Sequence, residues 1–143
     1  MARASLTVEV AVPPARLRAV LDDYARYPEF ISEVKAVKVG PREGDRVEVT
    51  YTLDVLIKTF EYTLEHVGRG PLRIDWRLLR GEFMRYNVGC WLLEPSARGT
   101  LATYEIDLRF GPGMPATVEK ALAEQGLPRL LASFKARAEQ ASP

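Results

Sequence analysis

The sequence predicts an α+β fold in which a curved antiparallel sheet of about seven strands wraps around a long C-terminal helix. Two observations carry this prediction. Segments between residues 46 and 110 repeatedly alternate apolar and polar residues, which is the period of strands packed on one side only. After residue 115, apolar residues recur at threes and fours, which indicates an amphipathic helix. Each one-sided element needs cover, so we expect the sheet and the helix to bury their apolar faces against each other.

The chain begins with a strand and a short helix. The segment "ASLTVEVAV" alternates as a half-buried strand does, and "PPARLRAVLDD" combines prolines suited to a helix start with apolar residues at helical spacing. The following "DYARYPEF" places Tyr24, Tyr27 and Phe30 three residues apart, on one face of a further helical turn. We therefore expect one or two short helices after strand 1, with these rings acting either as a plug of the core or as a lid.

Strand signals then follow one another along the chain. The segment "EVKAVKV" predicts a strand and "GPREGD" a hairpin turn. Clear alternation continues in "RVEVTYTLDV", "KTFEYTLEHV", "LRIDWRL" and "TLATYEIDLRF". In "EFMRYNVGCWLLEP" both faces are partly apolar, so the pattern alone does not decide which residues of that strand point inward.

Two residues interrupt the predicted C-terminal helix. Gly126 is a poor helix former, and Pro128 has no N–H for an interior hydrogen bond and disfavours helical geometry at Leu127. We expect a kink or a break at this point.

Composition limits the classes of function. The 143 residues fit one domain, residues 1–143, and 20 basic against 19 acidic side chains give no strong field for nucleic acid or an anionic membrane. The single cysteine and single histidine exclude an internal disulfide and a structural zinc site, so we expect no metal and no cofactor. Without a signal-peptide pattern or a long apolar run, a cytoplasmic location is expected.

The predicted interior is rich in aromatic side chains with polar tips. Tyr51, Tyr62, Trp76 and Tyr104 fall on the inward parity of their strands, together with Phe60. Buried Tyr and Trp need partners for their O–H and N–H groups. Such a set predicts a buried polar network, a wet space or a ligand pocket.

Several segments carry a family resemblance that covers nearly the whole chain. They are "VPPARLRAVLDDYARYPEFISEVKAVKV", "GEFMRYNVGCWLLEP" and "GTLATYEIDLRF", followed by a helix that contains proline. They resemble the polyketide cyclase/dehydrase and coenzyme Q-binding proteins of the START/Bet v1-like (SRPBCC) superfamily, which has bacterial members. The resemblance implies the helix-grip fold, with a deep apolar cavity between the sheet and the C-terminal helix that takes lipids, quinones or polyketides.

The resemblance also implies which residues serve a ligand. It favours an inward face with Asn87, Gly89 and Trp91 on the ambiguous strand, where Gly89 leaves space and Asn87 offers a hydrogen bond to a ligand carbonyl. The outward face, which includes Cys90, is then apolar enough to serve a homodimer. Tyr24, Tyr27 and Phe30 form the expected lid. The expected ligand-binding residues are Phe30, Tyr51, Leu53, Phe60, Tyr62, Trp76, Asn87, Trp91, Tyr104, Val118 and Leu122.

Binding or transport of a hydrophobic small molecule is the function we favour. No nucleophile with its base and no Gly-rich phosphate motif stands out. Relatives in the superfamily include aromatase/cyclases, and for that alternative Tyr62, His66 and Arg85 are the candidate catalytic residues, together with Tyr51. A further alternative is a ribosome-associating toxin-like protein, for which the arginines between Arg69 and Arg85 offer a local basic strip.

Overall fold

The computed structural model describes residues 2–140 and contains seven strands and a C-terminal helix. The strands are β1 Ala2–Val10, β2 Val34–Glu43, β3 Arg46–Val55, β4 Lys58–Gly68, β5 Arg73–Gly81, β6 Met84–Ser96 and β7 Gly99–Phe110. The helices are α1 Pro14–Asp22, a 3₁₀ helix Tyr24–Glu29, α2 Ala116–Ala121, a π-helical turn Leu122–Gly126 and α3 Leu127–Gln140. The predicted short helices after strand 1 are thus α1 and the 3₁₀ helix.

The strands form one antiparallel sheet with the order β1-β7-β6-β5-β4-β3-β2. Strands β2 to β6 each pair with the next strand along the chain, as consecutive hairpins do. Strand β1 pairs with β7 at the opposite edge, so the segment with α1 and the 3₁₀ helix crosses from one edge of the sheet to the other. The predicted helix-grip architecture is confirmed.

One face of the sheet carries the core. In β3 the residues of one parity are buried and those of the other are exposed or half-buried, as the sequence pattern predicts. The ambiguous strand β6 turns Asn87, Trp91 and Leu93 inward, and leaves Tyr86 and Val88 exposed on the outer face. The register of β6 therefore agrees with the one that the resemblance implies.

Cys90 lies on the outward parity of β6, but it is not accessible. Its residue is only 6% exposed, and its Sγ lies 3.5 Å from Oε1 of Glu105 on β7. Burial, aided by the hydrogen bond to Glu105, raises the pKa of the thiol to about 11. Cys90 thus belongs to the outer face, as expected, but neighbouring side chains cover its thiol, while Tyr86 and Val88 of the same face stay exposed.

The predicted basic strip is largely neutralised by ion pairs on the outer face. Asp75 accepts from both Arg69 and Arg73, at 3.2 and 2.8 Å. Arg77 pairs with Glu65 at 2.9 Å, and Arg80 lies 3.6 Å from Glu48. These arginines therefore present a mixed surface instead of a run of free positive charge.

The C-terminal helix passes Pro128 without a break. Leu127 keeps helical angles, with φ −67° and ψ −48°, and the preceding residues 122–126 form a wider π-helical turn. Such turns relieve strain in the hydrogen-bond ladder, and they lie where a proline removes a donor. The expected interruption is thus a local widening of the helix.

Within residues 2–140, no helix is long and apolar enough to cross a membrane. The same residues contain no group of three or more His, Cys, Asp or Glu side chains arranged to hold a metal ion.

We predict that Leu56→Gly stabilises the protein. Leu56 begins the two-residue turn between β3 and β4 with φ +55°, and its side chain is 66% exposed. Removing the cost of the left-handed conformation outweighs the extra backbone freedom of glycine and loses little buried surface, for a gain of roughly 0.5 kcal/mol. Thermal and urea unfolding measure the change.

Phe83→Gly is the matched control, because Phe83 has nearly the same φ of +59°. Its ring is packed under the ammonium of Lys58, with Nζ 3.6 Å from the ring centroid. We expect this variant to lose stability. Equal losses in both variants would contradict the account of Leu56.

Candidate functional site

A largely apolar cavity of about 130 Å³ lies between the inner face of the sheet and the C-terminal helix. The sheet supplies its floor and walls, and Leu122, Gly126, Leu127 and Leu130 supply helical residues from the π-helical turn and the start of α3. Eight of the predicted ligand-binding residues line it, namely Tyr51, Leu53, Tyr62, Trp76, Asn87, Trp91, Tyr104 and Leu122.

Three predicted ligand-binding residues are not part of the lining. Phe60 is fully buried, with its ring between those of Tyr62 and Phe110 at centroid distances of 6.1 and 6.3 Å. Val118 is fully buried in the core one turn before the lining begins on the helix. Phe30 packs from outside, with the Arg137 guanidinium 4.9 Å from its ring centroid. The inward parity of the strands identified buried residues, but it did not distinguish residues that pack in the core from residues that line the cavity.

Several lining residues were missed in the sequence. Phe134 on α3 is the largest of them, and it shares the apolar stripe of that helix with Leu127 and Leu130. Its spacing was visible in the sequence, but only the crossing of helix and sheet shows that its ring reaches the cavity. Glu33, the one carboxylate among the lining residues within residues 2–140, precedes β2, and no pattern in the sequence indicated that it lines the cavity.

The walls of the cavity include a closed circuit of aromatic contacts. Seven rings of lining residues form this circuit. Each ring contacts the next, and the last contacts the first, at centroid distances between 4.8 and 6.2 Å, in the order Tyr27, Phe134, Trp91, Tyr104, Trp76, His66 and Tyr51. Edge and tilted contacts dominate, which are the favourable arrangements for aromatic pairs. Because flat, rigid rings pack less adaptably than branched aliphatic side chains, a wall built from rings leaves the cavity unfilled.

The predicted lid residues have three different positions. Tyr27 lines the cavity, and its hydroxyl donates a hydrogen bond to the carbonyl of Leu21. Tyr24 is buried outside the lining and stacks on His66, with the two ring centroids 4.5 Å apart. Phe30 packs on Phe134 of α3, with the ring centroids 5.4 Å apart, and is not part of the lining. Of the three side chains, only Tyr27 is therefore placed to touch a ligand in this conformation.

Two ion pairs tie α3 to the segment that follows α1. Arg129 on α3 donates to Glu33 at 2.8 Å, and Glu33 lies in the cavity lining. Further along the helix, Arg137 donates to Glu29 at 2.8 Å. The helix is thus held at two points against the segment between α1 and β2, and one of these points adjoins the cavity.

The amide of Asn87 is already engaged inside the protein. The indole Nε1–H of Trp76 donates to Oδ1 of Asn87 at 3.0 Å, and the amide nitrogen of Asn87 lies 3.7 Å from the sulfur of Met84. Asn87 therefore orients Trp76, and the capacity it has left for a ligand is its weakly held N–H₂ group and the second lone pair of Oδ1.

The tyrosine hydroxyls supply the other polar groups of the cavity. Tyr51 shares a 2.7 Å hydrogen bond with Nε2 of His66, while the hydroxyls of Tyr62 and Tyr104 have no hydrogen-bond partner within residues 2–140. Burial raises the pKa of all three phenols well above their ordinary value, so they stay protonated. The cavity thus offers neutral O–H donors in apolar surroundings.

Of the predicted catalytic residues, the structure brings Tyr62 and His66 together in the cavity but not Arg85. Arg85 is exposed on β6, and its side chain runs past Gly111 outside the cavity. Burial, with a smaller effect from the positive charge of Arg42, lowers the pKa of His66 to about 3. His66 is therefore neutral throughout the physiological range, and its Nδ1 is buried without a partner in residues 2–140.

We predict that His66 makes the protein less stable in mild acid. The unfolded chain binds a proton at His66 near pH 6.5, whereas the folded chain does so only near pH 3. The contribution of His66 is therefore fully present above pH 6.5 and is lost as the pH falls toward 3, at up to about 1.4 kcal/mol per pH unit. Urea unfolding between these limits measures the slope.

His66→Gln is the control, because it places an amide near the position of Nε2 but cannot titrate. The carboxylates contribute equally to both proteins, so the difference between the two slopes isolates His66. Identical slopes would contradict a neutral buried histidine.

The comparisons with known proteins agree with this geometry. A START superfamily protein from Mycobacterium smegmatis superposes with a TM-score of 0.84 at 20% identity, covering 98% of this chain and 99% of its own. A protein from Thermus thermophilus gives 0.84 at 19% identity and 99% coverage of both chains. The Zhui aromatase/cyclase from a Streptomyces species gives 0.82 at 18% identity, with 96% and 93% coverage. These similarities show a shared fold.

No curated protein matched the sequence. The family model for polyketide cyclase/dehydrase and lipid transport, in contrast, matches residues 1–139, which is nearly the whole chain. The chain therefore belongs to the polyketide cyclase/dehydrase and lipid transport family.

Proposed function

We propose that the protein binds and carries a neutral, hydrophobic small molecule that bears a hydrogen-bond acceptor, held in the cavity between the sheet and the C-terminal helix. The observation that carries the proposal is the pair of unpartnered hydroxyls of Tyr62 and Tyr104 in an apolar, ring-lined space within residues 2–140. Hydroxyls that face an apolar cavity without a protein partner lose their hydrogen bonds when water is displaced from it, and a ligand carbonyl replaces them. Family membership, with its description as lipid transport, supports the same function.

The size of the cavity supports a ring as the bound group. A cavity of about 130 Å³ is close to the engineered cavities of about 150 Å³ that accept one benzene. A longer quinone, lipid or polyketide requires more room, which α3 supplies by moving away from the sheet. The ring-sized end of such a molecule is the part that the present cavity fits.

The charge of the lining supports a neutral ligand. Glu33 is the one carboxylate among the lining residues described, and no Lys or Arg is among them. A carboxylate or phosphate in this space would lose its hydration without gaining a cation. Free fatty acids and phosphate headgroups are therefore poor occupants of the inner cavity.

The protonation of the cavity favours a carrier over an enzyme. General acid–base catalysis is most efficient when the pKa of the group lies near the working pH. Here the pKa of His66 is about 3, and the pKa values of Tyr51, Tyr62 and Tyr104 are raised above their ordinary value. None of these groups is poised near neutrality in the ligand-free protein.

One observation supports the alternative of a polyketide aromatase/cyclase. Tyr51 and His66 are hydrogen-bonded at 2.7 Å inside the cavity, which is a proton-transfer distance, and one structural neighbour is named as an aromatase/cyclase. A linear poly-β-ketone incubated with the protein tests it. Faster ring closure with the wild type than with Tyr51→Phe would favour the enzyme, and unchanged recovery of the chain favours the carrier.

We predict that acetophenone binds more tightly than its isosteres ethylbenzene and benzoate. The carbonyl of acetophenone accepts from the free phenols, ethylbenzene lacks an acceptor, and benzoate carries a charge. Both tryptophans of the chain, Trp76 and Trp91, line the cavity, so intrinsic fluorescence reports binding directly. Equal affinities for all three compounds would contradict the proposal.

We further predict that Tyr62→Phe and Tyr104→Phe each weaken acetophenone binding by about 5–10-fold, which corresponds to one hydrogen bond. Ethylbenzene binding should not change, because the ring is retained. Tyr86→Phe is the matched control, since Tyr86 lies exposed on the outer face. A loss of affinity for both compounds in the cavity variants would instead indicate damage to packing.

Native mass spectrometry of the protein purified from its expression host, followed by solvent extraction, identifies a physiological class of ligand. We expect a stoichiometric neutral apolar species. Recovery of a tightly bound anionic lipid would contradict the neutral-ligand assignment.

A further inference from the structure

The partly exposed residues of the cavity lining show where the cavity meets solvent. Five lining residues are half-buried, and the other lining residues are buried. Three of the five, Leu122, Gly126 and Leu130, lie on the π-helical turn and the start of α3. The other two are Glu33, which directly precedes β2, and Tyr62 on β4. The opening of the cavity, which we call the mouth, is therefore bordered by the helical residues on one side and by Glu33 on the other.

One ion pair joins these two sides of the mouth. Arg129, the neighbour of the lining residue Leu130, donates to Oε2 of Glu33 at 2.8 Å. The same carboxylate accepts from the hydroxyl of Ser32 through Oε1, at 3.0 Å. The side chain of Glu33 is 17% exposed and that of Arg129 is 53% exposed, so the pair is partly shielded from water but still open to salt.

The second half of α3 is held to the protein by several polar contacts. Lys135 donates to the carbonyl of Glu9, and Glu139 accepts from the backbone N–H of Ala11, both at 2.8 Å. These contacts fix this half of the helix to the end of β1 and to the residue that follows it. The end of α3 is therefore a poor candidate for the part that moves.

The helical residues 116–130 are attached less firmly. Within residues 2–140, their one polar side-chain contact with the rest of the protein is the pair of Arg129 with Glu33. Val118 and Leu127 are buried and anchor this stretch by packing, but no residue of the π-helical turn between them is buried. The turn beside the mouth is thus the least firmly held part of the helix, and the pair with Glu33 is its nearest polar tie.

We propose that the ion pair between Arg129 and Glu33 is a latch that closes the mouth and sets the rate at which a ligand enters and leaves the cavity. The proposal rests on the proposed function, because it concerns passage of a ligand into the same cavity. Breaking the pair frees the turn at residues 122–126 to move away from the segment before β2, and the pair forms again once the ligand is inside. The latch therefore raises the barrier for entry and exit alike and favours neither the empty nor the occupied protein.

Arg129→Gln opens the latch without changing the lining, because Arg129 does not itself line the cavity. We expect stopped-flow tryptophan fluorescence to show that acetophenone associates and dissociates about 3-fold faster, which a partly exposed ion pair can supply. The dissociation constant should stay unchanged, since both rates rise together. Unchanged rates, or faster dissociation alone with weaker affinity, would overturn the latch.

Arg137→Gln is the matched control. Arg137 donates to Glu29 at the same distance of 2.8 Å on the same helix, but neither residue lines the cavity, so we expect wild-type rates. Arg129→Lys keeps a positive charge beside Glu33, and we expect rates close to those of the wild type. Equally faster exchange in both Gln variants would indicate general loosening of the helix and would overturn the latch. Circular dichroism checks that each variant is folded.

Salt gives a second readout of the latch. Raising sodium chloride from about 0.02 M to about 0.5 M screens a half-exposed pair, so we expect acetophenone exchange to accelerate about 2-fold in the wild type. Arg129→Gln has no pair to screen and should not respond in this way, while salting-out of acetophenone affects both proteins alike. An equal response to salt in both proteins would count against the latch.

A measurement without ligand separates the latch from the carrier proposal. Both tryptophans of the chain line the cavity, so acrylamide that passes the mouth quenches their fluorescence. We expect quenching to be about 3-fold stronger in Arg129→Gln than in the wild type or Arg137→Gln. If it is and acetophenone never binds, the carrier proposal fails and the latch stands. If acetophenone binds but neither quenching nor exchange responds to Arg129→Gln, the latch fails and the carrier proposal stands.

Discussion

The contact of Trp76 with Gly89 is the constraint on which the cavity depends. A Cβ at Gly89 would lie 2.4 Å from the indole ring and 2.2 Å from the carbonyl oxygen of Glu105, so only glycine lets the indole lie directly on strand β6. In that position Trp76 donates to Asn87 and touches the ring of Tyr104. A side chain at residue 89 would push the indole into the space that a ligand needs. Gly89 therefore opens the cavity indirectly, because it lets the indole of Trp76 pack against the backbone of β6.

The C-terminal helix is attached to this floor by contacts of unequal strength. Contacts among rings fix the floor of the cavity, and α3 packs into the core through Leu131, Phe134 and Ala138. The pairs of Arg129 with Glu33 and of Arg137 with Glu29, which keep some solvent exposure, add to this attachment. Exposed pairs of this kind contribute only about 0–1 kcal/mol each. The π-helical turn at residues 122–126 supplies a stretch with a weaker hydrogen-bond ladder beside the cavity. This turn, and not the buried remainder of α3, is the part of the helix that yields most easily to a ligand larger than the empty space.

Sequence periodicity predicted the fold well, because each element shows in its own residues which face it buries. The alternation in β3 and the stripe on α3 needed no tertiary information. The site was predicted less completely, because it depends on contacts between side chains of different strands and helices. Phe60 has inward parity like Tyr62, but Phe110 from another strand fills the space beside it. Asn87 points inward as expected, but one lone pair of its amide oxygen already accepts from Trp76, eleven residues away in the chain. Covering of Cys90 by Glu105 is equally a contact between strands.

A lone histidine on the apolar face of a strand gives no signal of what its two nitrogens do. His66 does not gain a charge near neutral pH, because burial keeps its pKa at about 3. Transfer of a proton between its ring nitrogens is different, since it changes which side donates while adding no charge to the interior and thus avoids the cost of desolvating an ion. With Tyr51 at Nε2 and no partner at the buried Nδ1 within residues 2–140, the tautomer of His66 decides whether Tyr51 donates to the ring or accepts from it. The surroundings that set this tautomer come from several elements, which only the packed structure brings together.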